Sequence, residues 1–217
     1  PFTIPDLPPL DVVIISHNHF DHLDEQSIRQ IAIHQPRVKF LVPLGLKKLL
    51  LEWGANDVKE LDWWQSIQIK GVTLQPTPVQ HWSKRTAFDR NKTLWAGWMT
   101  QWDNFSFYFA GDTGYSNDFK EVCNRLGNPD LAAIPIGAYE PREFMKSAHI
   151  NPEEAVMVFN DLGAKRAIAI HWGTFKLTLE KMDEPPRRLN RALESAGISK
   201  DRFKVLQHGE FWPESLR

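Results

Sequence analysis

Cysteine is all but missing from this chain: Cys123 is the single one among 217 residues. No internal disulfide can form, and no thiolate-based zinc or iron–sulfur site can be built within one chain. A reducing compartment suits such a sequence, and the expected location is cytoplasmic, with association at a membrane surface left open. Charge of one sign is lacking as well. Lys plus Arg number 26 against 27 Asp plus Glu, a net charge of −1, which gives no electrostatic reason to expect a polyanion as the main partner. No run reaches the roughly 18 apolar residues of a membrane-spanning helix, so no transmembrane segment is expected. Repeats, linkers and low-complexity stretches are absent too. The chain opens on Pro1-Phe2-Thr3 without a Met, so the lack of a leader carries no information. What is present is 42% apolar residues, enough for one domain over residues 1–217 with a sizeable core, together with 8 His and 9 Trp.

The pattern along the chain reads as α/β. Asp11 to Ile15 is a β-branched run that ends in a polar loop, His17 to Leu23. Asp24 is placed to cap a helix, with Leu23 and Ile28 as a hydrophobic staple and Ile28, Ile31 and Ala32 on one face. A strand at Val38 to Val42 and a helix at Leu44 to Trp53, closed by Gly54, complete a βαβ pattern. Ile67 and Ile69, Val72 and Leu74, and Phe105, Phe107 and Phe109 then alternate at period two, which predicts antiparallel hairpins, the last turning near Asp103-Asn104. Leu131 to Ile136 is a continuous apolar strand. Asn151, Pro152 and Glu154 open a helix whose stripe is Ala155, Val158, Phe159 and Leu162. Ala167 to Ile170 is a strand, Pro185-Pro186 begins a last helix, and a final strand lies near Phe203 to Leu206. Layered helices and sheets in one domain follow.

Chemistry concentrates in His17-Asn18-His19-Phe20-Asp21-His22, directly after the first strand. Imidazole nitrogens and carboxylate oxygens are good ligands for Zn²⁺. Four donors from so short a segment surround a single tetrahedral ion poorly and point to two, with His17 and His19 on one and Asp21 and His22 on its neighbour. A titratable cluster between a buried strand and a capped helix is otherwise a poor way to build a core. Three later donors share the same placement just beyond a strand: His81, Asp112 within Ala110-Gly111-Asp112-Thr113, and His171. Each alone is ordinary.

With Pro78-Val79-Gln80-His81-Trp82, Gly137-Ala138-Tyr139-Glu140-Pro141-Arg142 and His171-Trp172-Gly173-Thr174-Phe175, these segments resemble the metallo-β-lactamase superfamily, and within it the N-acylphosphatidylethanolamine-hydrolysing phospholipases D and their bacterial relatives. The resemblance covers nearly the whole chain. It implies an αββα sandwich with metals at one edge of the sheets, and two Zn²⁺ per chain: His17, His19 and His81 on one, Asp21, His22 and His171 on the other, Asp112 bridging. Several strands normally precede the metal loop in that family, whereas ten residues precede Asp11 here, so an N-terminally truncated domain is the expectation. Phe20 stands where many relatives carry Tyr, which removes a hydroxyl but no ligand.

The function so implied is a zinc-dependent phosphodiesterase that releases N-acylethanolamine and phosphatidic acid, with a lactonase or another superfamily hydrolase on a soluble substrate as the alternative. The partner is then a phospholipid or other small-molecule substrate. Nucleic acid is not expected, since no Lys/Arg tract accompanies the metal loop. Peripheral membrane contact and a homodimer are left open. Asp21 and Asp112 are ligands first and proton carriers second. His149, two residues before the Asn151 cap, is kept neutral by the helix N-terminus; the resemblance implies a substrate contact there, and a bond to its own loop is the other reading. Tyr139 and Arg142 are further candidates for substrate binding, with an ion pair to Glu140 or Glu143 as the competing use of Arg142. Trp82 and Trp172, each following a candidate ligand, read either as an apolar entrance or as core. His34 and His208 fit no donor pattern and read as surface residues, and Cys123 as a packed helix residue.

Overall fold

Residues 3–212 are described by a computed structural model. The β-branched run Val12–Ile14 forms strand β1, as expected of side chains that favour the extended backbone. Asp24 caps α1 (Glu25–His34), its carboxylate accepting the Ser27 N–H at 2.7 Å. Next come β2 (Lys39–Pro43), α2 (Lys47–Glu52) and β3 (Asp57–Leu61). These strands make a parallel sheet in the order β1-β2-β3.

The second sheet begins with hairpins. β4 (Ile67–Ile69) pairs with β5 (Val72–Thr77), β5 with β6 (Gly97–Gln101), and β6 with β7 (Ser106–Phe109), all antiparallel. β8 (Leu131–Pro135), β9 (Arg166–Ile170) and β10 (Phe203–Lys204) then join in parallel on the β7 side. The connections are α3 (Asp118–Leu126), α4 (Arg142–Met145) with α5 (Pro152–Asp161), and α6 (Glu184–Ser195). The sheet order is β10-β9-β8-β7-β6-β5-β4. Two reversals between β5 and β7 restore the chain direction, so β5, β7, β8 and β9 all end along one edge.

Side chains alternate across each strand and so build three apolar layers. Ile28, Leu46 and Leu50 pack on Phe40, Val42 and Val58 outside the smaller sheet. Leu41 and Leu61 face Leu74 and Trp98 between the sheets. Phe119, Val158, Phe159 and Leu189 cover Tyr108, Ile134 and Ala167 on the far side. Helix, sheet, sheet and helix follow one another, the αββα sandwich the sequence pointed to. Trp98 is fully buried between the sheets and donates its indole N–H to the Ile15 carbonyl at 2.9 Å, which ties them together beside the His17 loop.

Some elements differ from the sequence reading. α2 starts at Lys47 and not at Leu44, because Gly45 takes a φ of +90° and turns the chain first. β7 starts at Ser106, Phe105 being used in the turn where its carbonyl accepts the Trp102 N–H at 2.8 Å. β3 was not anticipated: only Val58 and Leu61 of Asp57–Leu61 are buried, and the intervening charges mask the strand. α5 matches its signature closely, with Asn151 Oδ1 accepting the Glu154 N–H at 2.8 Å and the Glu154 carboxylate accepting the Asn151 N–H at 3.1 Å.

Candidate metal centre

The loop after β1 is held at both ends. Ser16 accepts the Ala96 N–H at 2.8 Å, the His22 and Leu23 N–H groups fold back onto the His19 carbonyl, and Leu23 is fully buried. Arg85 spans the loop from outside, donating from one guanidinium nitrogen to the Asn18 carbonyl at 2.9 Å and the Leu23 carbonyl at 2.6 Å. A loop so anchored presents its imidazoles with little freedom left to lose on binding.

The other donors arrive from the common sheet edge. Asp112 reaches the loop through Gly111, whose φ is +62° and where a Cβ would lie 2.8 Å from that of Ser16; only glycine fits. His81 follows β5 and is aimed by its Nδ1–H, which donates to the Ala148 carbonyl at 2.9 Å. That bond fixes the tautomer and leaves the Nε2 lone pair facing the cluster. His171 follows β9, and His149 precedes the α5 cap.

Two adjacent groups of donors result. His17 Nε2 and His19 Nδ1 are 2.9 Å apart and His81 Nε2 is 3.2 Å from His19 Nδ1, a convergence of three ring nitrogens that a cation satisfies better than shared protons can. In the second group, His22 Nε2 lies 3.0 Å from Asp112 Oδ2 and 3.3 Å from Asp21 Oδ2, and His171 Nε2 lies 3.2 Å from Asp112 Oδ1 and 3.5 Å from Asp21 Oδ2. The donor atoms of each group fall within 4.8 Å of one another. Asp112 Oδ2 stands between the groups, 4.0 Å from His17 Nε2 and 3.9 Å from His81 Nε2. It is also 3.9 Å from His149 Nδ1, and His149 forms a further group with His81 and Asp112.

The polar bookkeeping favours metal. His19 Nε2 and His171 Nδ1 are buried with no hydrogen bond, a costly state unless something else engages them, while His22 Nε2 and His171 Nε2 have only the carboxylates of Asp21 and Asp112 beside them. Burial pushes His17 far below the ordinary imidazole range, His81 down to about 3 and His149 to about 4, against the pull of Asp112 in each case. These rings are neutral, as metal ligands must be. At His22 burial also opposes the charge, but Asp112 and Asp21 outweigh it and raise the imidazole to about 10; the same carboxylates raise His171. Burial would raise the Asp112 carboxyl, yet His171 and His22 hold it well below its usual range. A buried carboxylate thus demands positive charge here, which these protons supply in place of a cation. The donor set fits divalent metal.

A cavity of about 370 Å³ opens on this centre past Asp21 and His171 and continues between Gly137–Ala138 and an irregular wall at residues 173–182. Trp172 lines it, whereas Trp82 packs edge-on against His19 with ring centroids 4.4 Å apart. His208 is exposed, as expected, and lines the outer part of the cavity, within 2.9 Å of Thr174 Oγ1. His34 is exposed and Cys123 half-buried on α3, as expected.

Two expected substrate contacts have protein partners in this structure. Tyr139 is fully buried and its hydroxyl donates to Glu184 at 2.8 Å. The Arg142 guanidinium pairs with Glu154, not with Glu140 or Glu143, and donates to the His149 carbonyl at 2.6 Å. Both side chains hold loops together, and Arg142 acts on the site through the backbone of His149. Arg85 and Glu180, which the sequence did not single out, sit at the loop and in the cavity wall; most of their hydrogen-bond partners are backbone groups, which leave no sequence signal.

Among the described residues no helix is long and apolar enough to cross a membrane. The family model for the beta-lactamase superfamily domain matches residues 1–172. Over all of its length the chain is 43% identical to N-acyl-phosphatidylethanolamine-hydrolyzing phospholipase D 1 of Caenorhabditis elegans and spans 64% of that protein. It is 37% identical over 93% of its length to the mitochondrial N-acyl-phosphatidylethanolamine-hydrolyzing phospholipase D of Saccharomyces cerevisiae, of which it spans 44%. Among solved structures, the isothiocyanate hydrolase from Delia radicum gut bacteria superposes with a TM-score of 0.76 at 19% identity, over 100% of this chain and 81% of that one, a likeness of fold.

Proposed function

The chain belongs to the beta-lactamase superfamily, and on that premise we propose that it is a dizinc phosphodiesterase cleaving the distal phosphodiester bond of N-acylphosphatidylethanolamine. The observation that carries this reading is the pair of adjoining donor groups with Asp112 Oδ2 between them. His17, His19 and His81 would hold one ion, Asp21, His22 and His171 the other, and Asp112 both. Two such dications supply Lewis-acid activation of water and charge for the non-bridging oxygens of a phosphodiester.

The chain's own residues do the rest. Arg85 and the Ala148 carbonyl fix the directions of the ligands. Neutral His149, 3.9 Å from Asp112 and at the edge of the centre, is a hydrogen-bond donor to the substrate phosphoryl group. Asp21 lines the cavity, where its carboxylate can take a proton from the attacking water and pass it to the departing alkoxide. Water adds to phosphorus, the ethanolamine oxygen leaves with a proton, and the products are N-acylethanolamine and phosphatidic acid. Trp172, Phe175 and Leu177 give the cavity an apolar side suited to an acyl chain. The relatives from worm and yeast, named for this activity, support the substrate.

The test compares kcat/KM on micellar N-acylphosphatidylethanolamine, a chromogenic phosphodiester and an acyl lactone, with zinc and with chelator. The phospholipid is expected to lead, and chelator to abolish turnover. A lactone preferred by more than about tenfold, roughly 1.4 kcal/mol of transition-state discrimination, overturns the phospholipase reading in favour of a soluble-substrate hydrolase.

A further inference from the structure

The wall of the cavity formed by residues 173–182 contains neither helix nor strand. Three hydrogen bonds to one carboxylate attach it to the sandwich, and a fourth to the same carboxylate lies within the wall. Glu180 Oε1 accepts the N–H of Ala138 at 2.7 Å and of Tyr139 at 3.3 Å. Its Oε2 accepts the N–H of Glu140 at 3.1 Å and the Thr178 hydroxyl at 2.6 Å. Leu179 adds one backbone bond to the Glu140 carbonyl at 3.3 Å.

Three successive amides converging on one anion are a backbone nest, and here the anion comes from the wall itself. Ala138 has a φ of +62°, a left-handed conformation unfavourable for a residue with a Cβ. Such a turn persists where its surroundings over-determine it, and the Glu180 carboxylate is what its N–H groups face. Burial would raise this carboxyl, but the Thr178 hydroxyl and the backbone N–H groups hold it below the usual range, so it is ionised at neutral pH. The same turn begins at Gly137, whose Cα packs against the His171 carbonyl. One carboxylate therefore links the outer wall, the strained turn and the strand end that carries His171.

We propose that Glu180 is a positioning residue that sets the shape of the substrate cavity, by pinning the 173–182 wall to the 138–140 turn at a fixed distance from Asp21 and His171. It touches neither metal donors nor reacting atoms. Its loss widens the cavity and weakens substrate binding while the donors stay in place. The kinetic part of this inference rests on the hydrolase reading; the clasp itself does not.

The experiment takes the zinc-loaded full chain and its Glu180→Ala and Glu180→Asp variants through hydrogen–deuterium exchange and steady-state kinetics on N-acylphosphatidylethanolamine. In Glu180→Ala, peptides covering 138–140 and 173–182 are expected to exchange at least about tenfold faster, with β8 and α5 unchanged. KM is expected to rise about tenfold with kcat within about threefold and zinc content unaltered. Glu180→Asp, which keeps the charge, recovers part of both effects. If Glu180→Ala does not stay folded, Glu180→Gln is read in the same way, since its amide turns an N–H towards donors. Unchanged exchange in these peptides, or a fall in kcat with KM untouched, overturns the proposal. A wild-type protein that hydrolyses none of this lipid overturns the substrate reading instead, and the exchange result alone then decides whether Glu180 is the clasp.

Discussion

Gly137 and His171 stand back to back at the ends of β8 and β9: a Cβ placed on Gly137 would lie 2.2 Å from the His171 carbonyl oxygen. The strands pair as far as Pro135 opposite Ile170, and one more bond, from Ile136 N–H to the Ile170 carbonyl at 3.0 Å, brings the two chains together before they part. His171 leaves this pairing with a φ of +58°, which turns its ring toward the carboxylates of Asp21 and Asp112. The sharp exit of one strand thus requires the absence of a side chain on the other.

Gly137→Ala should therefore injure the metal centre without touching a ligand. The methyl group cannot fit unless the backbone of His171 moves, and a displacement of about 1 Å at a ligand costs on the order of 100-fold in rate. The check is kcat/KM together with zinc content and thermal midpoint. Activity within about twofold of wild type shows that the two strand ends are not coupled.

Asp112→Asn is expected to be more damaging than His149→Ala. The amide keeps the shape but removes the negative charge between the two donor groups, where five of the neighbouring groups are imidazoles, so metal is lost and kcat/KM falls by at least about 1,000-fold. Removing His149, the proposed substrate contact, is expected to cost about 1 to 3 kcal/mol. Equal losses in the two variants, with zinc retained in both, contradict these roles.

Much of the fold and of the donor set was legible in the sequence for identifiable reasons. The His17 loop showed itself because titratable residues were packed between a β-branched strand and a capped helix, a place where apolar or turn residues are the norm. α5 showed itself through a capping box that is local by nature. What escaped the sequence depended on distance or on the backbone. β3 hides under Asp57, Lys59 and Glu60 because each face of this edge strand buries a single side chain, Val58 outside the sheet and Leu61 between the sheets, which leaves no period-two apolar pattern. Arg142 found its partner in Glu154, twelve residues on and on another helix, rather than among its neighbours. Glu180 binds amides that lie some 42 residues earlier in the chain, and amides belong to every residue, so no side-chain pattern can announce them.

Acid should expose a stabilising carboxylate outside the candidate metal centre. Asp130 accepts the Ser106 N–H at 2.7 Å and the Lys165 ammonium at 2.6 Å, joining the starts of β7, β8 and β9. Burial would raise its carboxyl, but Lys165 and Ser106 lower it. A carboxyl lowered in the folded state stabilises above its unfolded pKa, near 3.9, and loses that contribution as pH falls through the folded value. Asp130→Asn is thus expected to cost about 1 kcal/mol in urea unfolding at pH 7, and the gap to wild type to shrink below about pH 4. A gap independent of pH would show that ionisation of Asp130 adds nothing.

The most direct test of the central claim is the zinc stoichiometry of the purified chain, measured by elemental analysis after loading and removal of free metal. The account predicts about two zinc ions per wild-type chain and about one in His171→Ala, with the first group of His17, His19 and His81 still filled and phospholipid turnover nearly abolished. Fewer than one zinc ion in the wild type, or an unchanged two in His171→Ala with normal turnover, would contradict it.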